Sequence, residues 1–280
     1  MNEKNRNLAI RAASALILLP IALYLLWKGP VSTAAVVAFA ALVVTGELYH
    51  VVGLPLRHPA ALFGMLAAAA MPYFALELSD RWPYLLALLA FSPIVALGAL
   101  TLWPPKDDLR RGAEQAGFAA LGPTHVGLSL ASIVLLHRLP GESGFGWIFV
   151  LLAVTWGNDT GAYFAGRFLG KHKLYEKVSP KKTWEGFWGG MAAATLLAVI
   201  VGFTPLLPEF RVEDAIVVGV VAGLLGPLGD LAESMMKRAF HVKDSGRIMP
   251  GHGGLYDRLD ALLFNAPWVV VYAYFLRDLI

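Results

Sequence analysis

Cysteine is absent from the 280 residues, which excludes a disulfide framework, a thiolate metal site and a thiol nucleophile. Any metal must therefore be held by oxygen or imidazole. Charge is also scarce: Asp, Glu, Lys and Arg make up 15% of the chain, against about a quarter in ordinary globular proteins. Neither a G-x-x-x-x-G-K-[ST] loop nor a G-x-G-x-x-G turn after a strand occurs, so no soluble nucleotide-binding fold is appended.

What is abundant is apolar. Hydrophobic residues make up 57%, the mean hydropathy is +0.60, and apolar runs recur at close to the roughly 20 residues that cross a bilayer. The pattern predicts an all-α polytopic membrane protein of about nine transmembrane helices, at roughly 12–27, 31–46, 59–76, 82–103, 117–136, 146–165, 186–205, 214–230 and 260–277. The fifth is interrupted by Gly and Pro in AGFAALGPTHVG and carries His125. The N-terminus has the basic start of a signal peptide but no small-residue cleavage site, and reads as the first membrane helix.

Basic residues orient these spans, because Lys and Arg are enriched in cytoplasmic loops. With a cytoplasmic N-terminus and nine spans, only Lys28, Arg81, Arg138, Arg211 and Arg277 of the 23 basic residues fall outside. The net charge of +3 and isoelectric point near 9.1 follow from that sorting and call for no nucleic-acid partner. The chain divides into N-terminal spans, 1–140, and a C-terminal region, 141–280, expected to be catalytic. Two cytoplasmic loops of that region, 166–185 and 237–258, hold 11 of the 23 basic residues. Anchoring to anionic head groups would account for their charge, but not for the Gly, Pro, Ser, Thr and acidic residues set among the lysines.

Carboxylates enter the membrane segments at three places, and an ionisable residue there is functional by default. Asn158 and Asp159 lie inside the sixth span. Asp230, Glu233, Ser234 and Lys237 share one face at the end of the eighth. Asp257 and Asp260, three apart, project together where the ninth begins. Each has a plainer reading: an interhelical hydrogen bond for Asn158 and Asp159, a turn for His252 between two glycines, an ion pair for Arg258 with Asp257. Gly157 with Gly161, and Gly186 with Gly190, are small-xxx-small pairs that let helices pack closely. Glu47, in the second span, has no partner that the pattern identifies.

Carboxylates without cysteine suit Mg²⁺ or another hard cation, while lysines, arginines and bare backbone amides suit phosphates. Together they describe phosphoryl or nucleotidyl transfer, where positioning and charge neutralisation do most of the catalysis.

The run SMMKRAFHVKDSGRIMPGHGGLYDRLD, 234–260, resembles the signature of the phosphatidate cytidylyltransferase (CDP-diacylglycerol synthase) family, as do NDTGAYFAGRFLGKHKL and SPKKTWEG upstream. The resemblance covers about 145–265 in its motifs, and Met249 stands where Leu, Ile or Phe is usual. It implies an integral membrane enzyme, with its active site on the cytoplasmic face of a bacterial plasma membrane, that makes CDP-diacylglycerol and pyrophosphate from phosphatidate and CTP. It further implies Mg²⁺ and a monovalent cation such as K⁺. Membrane lipid surrounds such an enzyme, and a homodimer is compatible with it.

On that reading Asp230 and Asp257 are the expected metal ligands, with Asp260 beside them. Lys237, Arg238, Lys243 and Arg258 are the expected phosphate contacts, and His252 a donor to a phosphate oxygen. Gly253 and Gly254 would let backbone amides approach an anion. Asn158 and Asp159 would face the same cavity, with Ser234 and Asp244 in the substrate-binding set. Ser179, Lys181, Lys182 and Thr183 would form a second phosphate-binding edge. A secondary transporter would instead favour midplane sites and internal repeats, and no convincing repeat relates the two halves. A polyprenol or phytol kinase, or an archaeal CDP-lipid synthase, is the nearer rival.

Overall fold

The computed structural model describes residues 3–105, 108–139, 144–249, 251 and 253–277, with backbone alone at 3–13, 15 and 78–80. Ten α-helices follow in order: α1 (Glu3–Trp27), α2 (Pro30–Val51), α3 (Pro59–Leu76), α4 (Leu78–Leu102), α5 (Leu109–Leu121), α6 (Leu128–Leu136), α7 (Gly144–Phe168), α8 (Trp184–Gly202), α9 (Val212–Ala239) and α10 (Tyr256–Val271). A π-helical turn, Gly122–Gly127, joins α5 to α6, so Leu109–Leu136 is one continuous helical rod despite Pro123. A second π turn, Tyr272–Leu276, extends α10. Between α7 and α8 the chain forms a hairpin of β1 (Lys173–Tyr175) and β2 (Ser179–Thr183), antiparallel, with Lys173 opposite Thr183 and Tyr175 opposite Ser179.

Among the described residues seven helices are long and apolar enough to cross a membrane, within 30–51, 59–76, 81–102, 109–136, 184–202, 212–239 and 256–276. The protein is an all-α integral membrane protein with a small hairpin. The expected count of nine is not reached on that measure. α1 contributes a shorter apolar stretch, Leu16–Trp27, and the 25-residue α7, with Asn158 and Asp159 in it, is not one of the seven.

The chain forms two compact units. The first comprises Met1–Val134 and Ala239–Arg258. Its core runs along α2, where Tyr49 is fully buried and donates to the Ala119 carbonyl at 2.6 Å. A side chain at Gly64 or Gly122 would strike the Tyr49 hydroxyl, so glycine at both is what lets a large polar side chain lie in this core. α3 starts where the sequence would start it: Pro59 occupies its first turn and His58 caps it, accepting from the Ala60 amide at 3.2 Å.

The second unit comprises Leu135–Arg238 and Leu259–Ile280. Here α7 and α8 pack face to face on glycines. A Cβ on Gly161 would lie 2.4 Å from that of Ala193, and one on Gly189 would lie 2.2 Å from that of Ala165. At one end of this unit Trp147 is buried against Phe210 and Tyr272. The buried Asp214 there accepts from the Tyr272 hydroxyl at 2.6 Å and lies within 4 Å of Arg211 and Arg277.

Candidate active site

In the second unit the candidate catalytic groups include Lys182 and the carboxylates that act on it. In β2 Lys181 is exposed and Lys182 half-buried. Its ammonium meets Asp230 of α9 at 2.8 Å and donates to the Pro227 carbonyl at 3.3 Å. The other Asp230 oxygen accepts from Ser234, one turn on, at 3.1 Å. Asp260 of α10 is near enough for Asp230, Asp159 and Lys182 all to act on its charge. One carboxylate thus holds the ammonium and two more share its electrostatic surroundings, an excess of negative charge that favours further positive charge.

The site rests on a break in α9. Proline at 227 has no N–H to give the carbonyl four residues back, that of Gly223. Asn158 supplies the missing donor: its side-chain amide reaches the Gly223 carbonyl at 3.1 Å and is buried. Asn158 is thus an interhelical brace. Beneath it, Asn265 donates to Thr155 at 3.0 Å, a polar pair between α10 and α7 that the sequence pattern did not single out.

The remaining residues of this unit sort by what they touch. Thr183 is buried and caps α8, accepting from the Gly186 amide at 3.1 Å. Ser179 begins β2 opposite Tyr175. The hairpin is closed by Lys173, which donates to the Pro180 carbonyl at 2.6 Å, and by Glu185, paired with His172 at 2.6 Å. Lys237 is drawn back along α9 to the buried Glu233 at 3.2 Å, whereas Lys181 and Arg238 are exposed.

In the first unit the signature loop leads into α10. Gly253 has φ +86° and its carbonyl accepts from the Met249 amide at 3.1 Å. One oxygen of Asp257 accepts three hydrogen bonds: from the Ser245 amide and hydroxyl, each at 3.0 Å, and from the Gly254 amide at 2.9 Å. The Gly254 amide, expected to meet a phosphate, thus binds the protein's own carboxylate. Lys243, Asp244 and Arg258 are exposed. His252 lies outside the described residues. Glu47, for which the sequence offered no partner, accepts from Ser245, Leu255 and Tyr256. Its one available signal was the cost of an unpaired carboxylate in an apolar helix.

The sequence pattern of the cytidylyltransferase family matches residues 9–276. The chain belongs to that family. It is similar to the phosphatidate cytidylyltransferase of Staphylococcus epidermidis, with 32% identity over 260 residues, 92% of this chain and 96% of that one. The protein of the same description from Staphylococcus aureus is 30% identical over 262 residues, again 92% and 96%. That of Bacillus subtilis is 40% identical over 156 residues, 56% of this chain and 57% of its own. The signature residues thus sit in a cytidylyltransferase, a nucleotidyl-transferring enzyme embedded in a membrane.

Proposed function

We propose that the protein transfers CMP from CTP to phosphatidate, giving CDP-diacylglycerol and pyrophosphate at the cytoplasmic face of a bacterial plasma membrane. The observation that carries this reading is the Lys182–Asp230 pair with Asp260 and Asp159 acting on it, where Asp230 and Asp260 stand on helices of membrane-spanning length. A phosphate oxygen of phosphatidate attacks the α-phosphorus of CTP, and the bond to the β-phosphate breaks as pyrophosphate leaves. The nucleophile is already ionised, so no general base is required. The obstacle is repulsion between two anions, which Lys182 would reduce, with Lys181 and Arg238 adding exposed positive charge.

Among the described residues no group of three His, Asp or Glu is spaced to hold a metal unaided. Mg²⁺ is commonly bound through one or two carboxylates completed by substrate phosphates and water, and Asp230 with Asp260 fit that requirement as donors. A bound Mg²⁺ would neutralise phosphate charge.

The test is to incubate purified protein with phosphatidate, Mg²⁺ and CTP labelled at either the α- or the γ-phosphorus, and then to extract the lipid. Label from the α position alone is expected in lipid, and removal of divalent cations with EDTA should abolish it. Label from the γ position would mark a lipid kinase and overturn the reading.

A further inference from the structure

A carboxylate buried in an apolar helix must find donors or lose its place there. Glu47, 8% exposed near the end of α2, finds three, all in the signature loop about 200 residues on in the chain. One oxygen accepts from the Leu255 amide at 3.1 Å. The other accepts from the Tyr256 amide at 2.7 Å and from the Ser245 hydroxyl at 3.3 Å. Leu255 and Tyr256 are where α10 begins, so Glu47 occupies the amides that a helix start would otherwise offer to an external anion.

The glycines of the signature are shaped to this contact. A Cβ on Gly246 would lie 2.2 Å from one Glu47 oxygen and within 3 Å of its Cδ and Cγ. A Cβ on Gly254 would lie 2.0 Å from the Ser245 hydroxyl and 2.7 Å from the other Glu47 oxygen. The fully buried Ser245 hydroxyl lies within hydrogen-bond distance of both Glu47 and Asp257, which share its single proton.

We propose that Glu47 is a positioning residue of the transfer reaction, an internal anion that fills the amide nest at the start of α10 and so sets how Asp257 and Arg258 are presented. A substrate phosphate is then met at this loop by side chains, not by the amides of Gly254, Leu255 and Tyr256. The catalytic part of this inference rests on the cytidylyl-transfer reading, whereas its geometric part does not.

Two measurements test it on the full chain in detergent. In hydrogen exchange, Glu47→Ala should speed exchange of peptides spanning 253–258 by about tenfold or more while peptides within α8 are unchanged, as expected when hydrogen bonds to a charged group are lost. In kinetics, Glu47→Gln, which keeps the side-chain volume, should lower kcat about tenfold or more and move KM for CTP and phosphatidate far less. A residue that only stabilised the fold would reduce yield and leave kcat per folded molecule intact. Gly246→Ala should be similarly slow, and Glu47→Ala with Gly246→Ala should be no slower than Glu47→Ala alone, because the atoms the added methyl meets first all belong to Glu47. Unchanged exchange in Glu47→Ala, an unchanged kcat in Glu47→Gln, or losses that multiply in the double variant would overturn the proposal. A wild type inactive with CTP and phosphatidate would overturn the reaction assigned above, and exchange would still decide on Glu47.

Discussion

Lys182 and Asp230 show how one contact changes the meaning of two residues. Taken separately, the first is one of six basic residues in a loop that could serve as a lipid tether, and the second is a carboxylate at a helix end. At 2.8 Å they form a single half-exposed device in which the ammonium is held by a carboxylate and by the Pro227 carbonyl. Lys182→Gln is therefore expected to lower turnover about tenfold or more in neutral detergent micelles, where there is no anionic surface for a polybasic loop to meet. A matched Lys181→Gln change should cost less, since Lys181 is exposed whereas Lys182 is half-buried against Asp230. Equal losses for the two, or a Lys182 defect that appears only in anionic bilayers and fades with salt, would return the loop to anchoring. Asp230→Asn is expected to abolish lipid-linked CMP formation while the protein stays folded, a larger loss than that of Lys182→Gln because Asp230 is also a proposed Mg²⁺ donor.

At the scale of the element, α9 is the helix with a designed fault. Proline at 227 frees the Gly223 carbonyl, Asn158 of α7 takes it up, and the carbonyl of Pro227 itself accepts from Lys182. Asn158→Leu should lower stability by about 1–3 kcal/mol, the penalty for a buried carbonyl without a donor. Pro227→Ala in that background should recover part of it by restoring the backbone N–H. Thermal unfolding in detergent measures both, and failure of the second change to help would show that Gly223 was not the group at stake. The α7–α8 interface makes a sharper demand. Gly161→Val would push a side chain into the Gly189 carbonyl and the Ala193 Cβ, and should destabilise by about 1–3 kcal/mol or more because two helix backbones cannot easily part. The small-residue spacing at 157, 161, 186 and 190 was legible in the sequence. That Gly161 meets Ala193 and Gly189, and Gly190 meets Asn158 and Ala162, was not. Spacing marks a face, and the partner depends on how the helices dock.

For the whole molecule, α8 is the most direct ruler. Its 19 residues span about 28 Å at 1.5 Å each, close to the roughly 30 Å of a hydrocarbon core. Single cysteines in place of Lys181 and Pro208, in a chain that has none of its own, should be labelled from opposite sides of the membrane, Lys181→Cys from the cytoplasm. Labelling from one side would refute both the span and the orientation read from the basic residues. The sequence alone determined that the chain is a helical membrane protein and which polar segments are candidates for the chemistry, because hydropathy over 20 residues and the sorting of Lys and Arg are properties of local stretches. Tertiary structure alone decided which polar groups satisfy one another. Lys182 and Asp230 are 48 positions apart and Glu47 and Tyr256 are 209. No local pattern encodes such pairs, since a buried charge constrains only that donors be supplied, and packing decides from where.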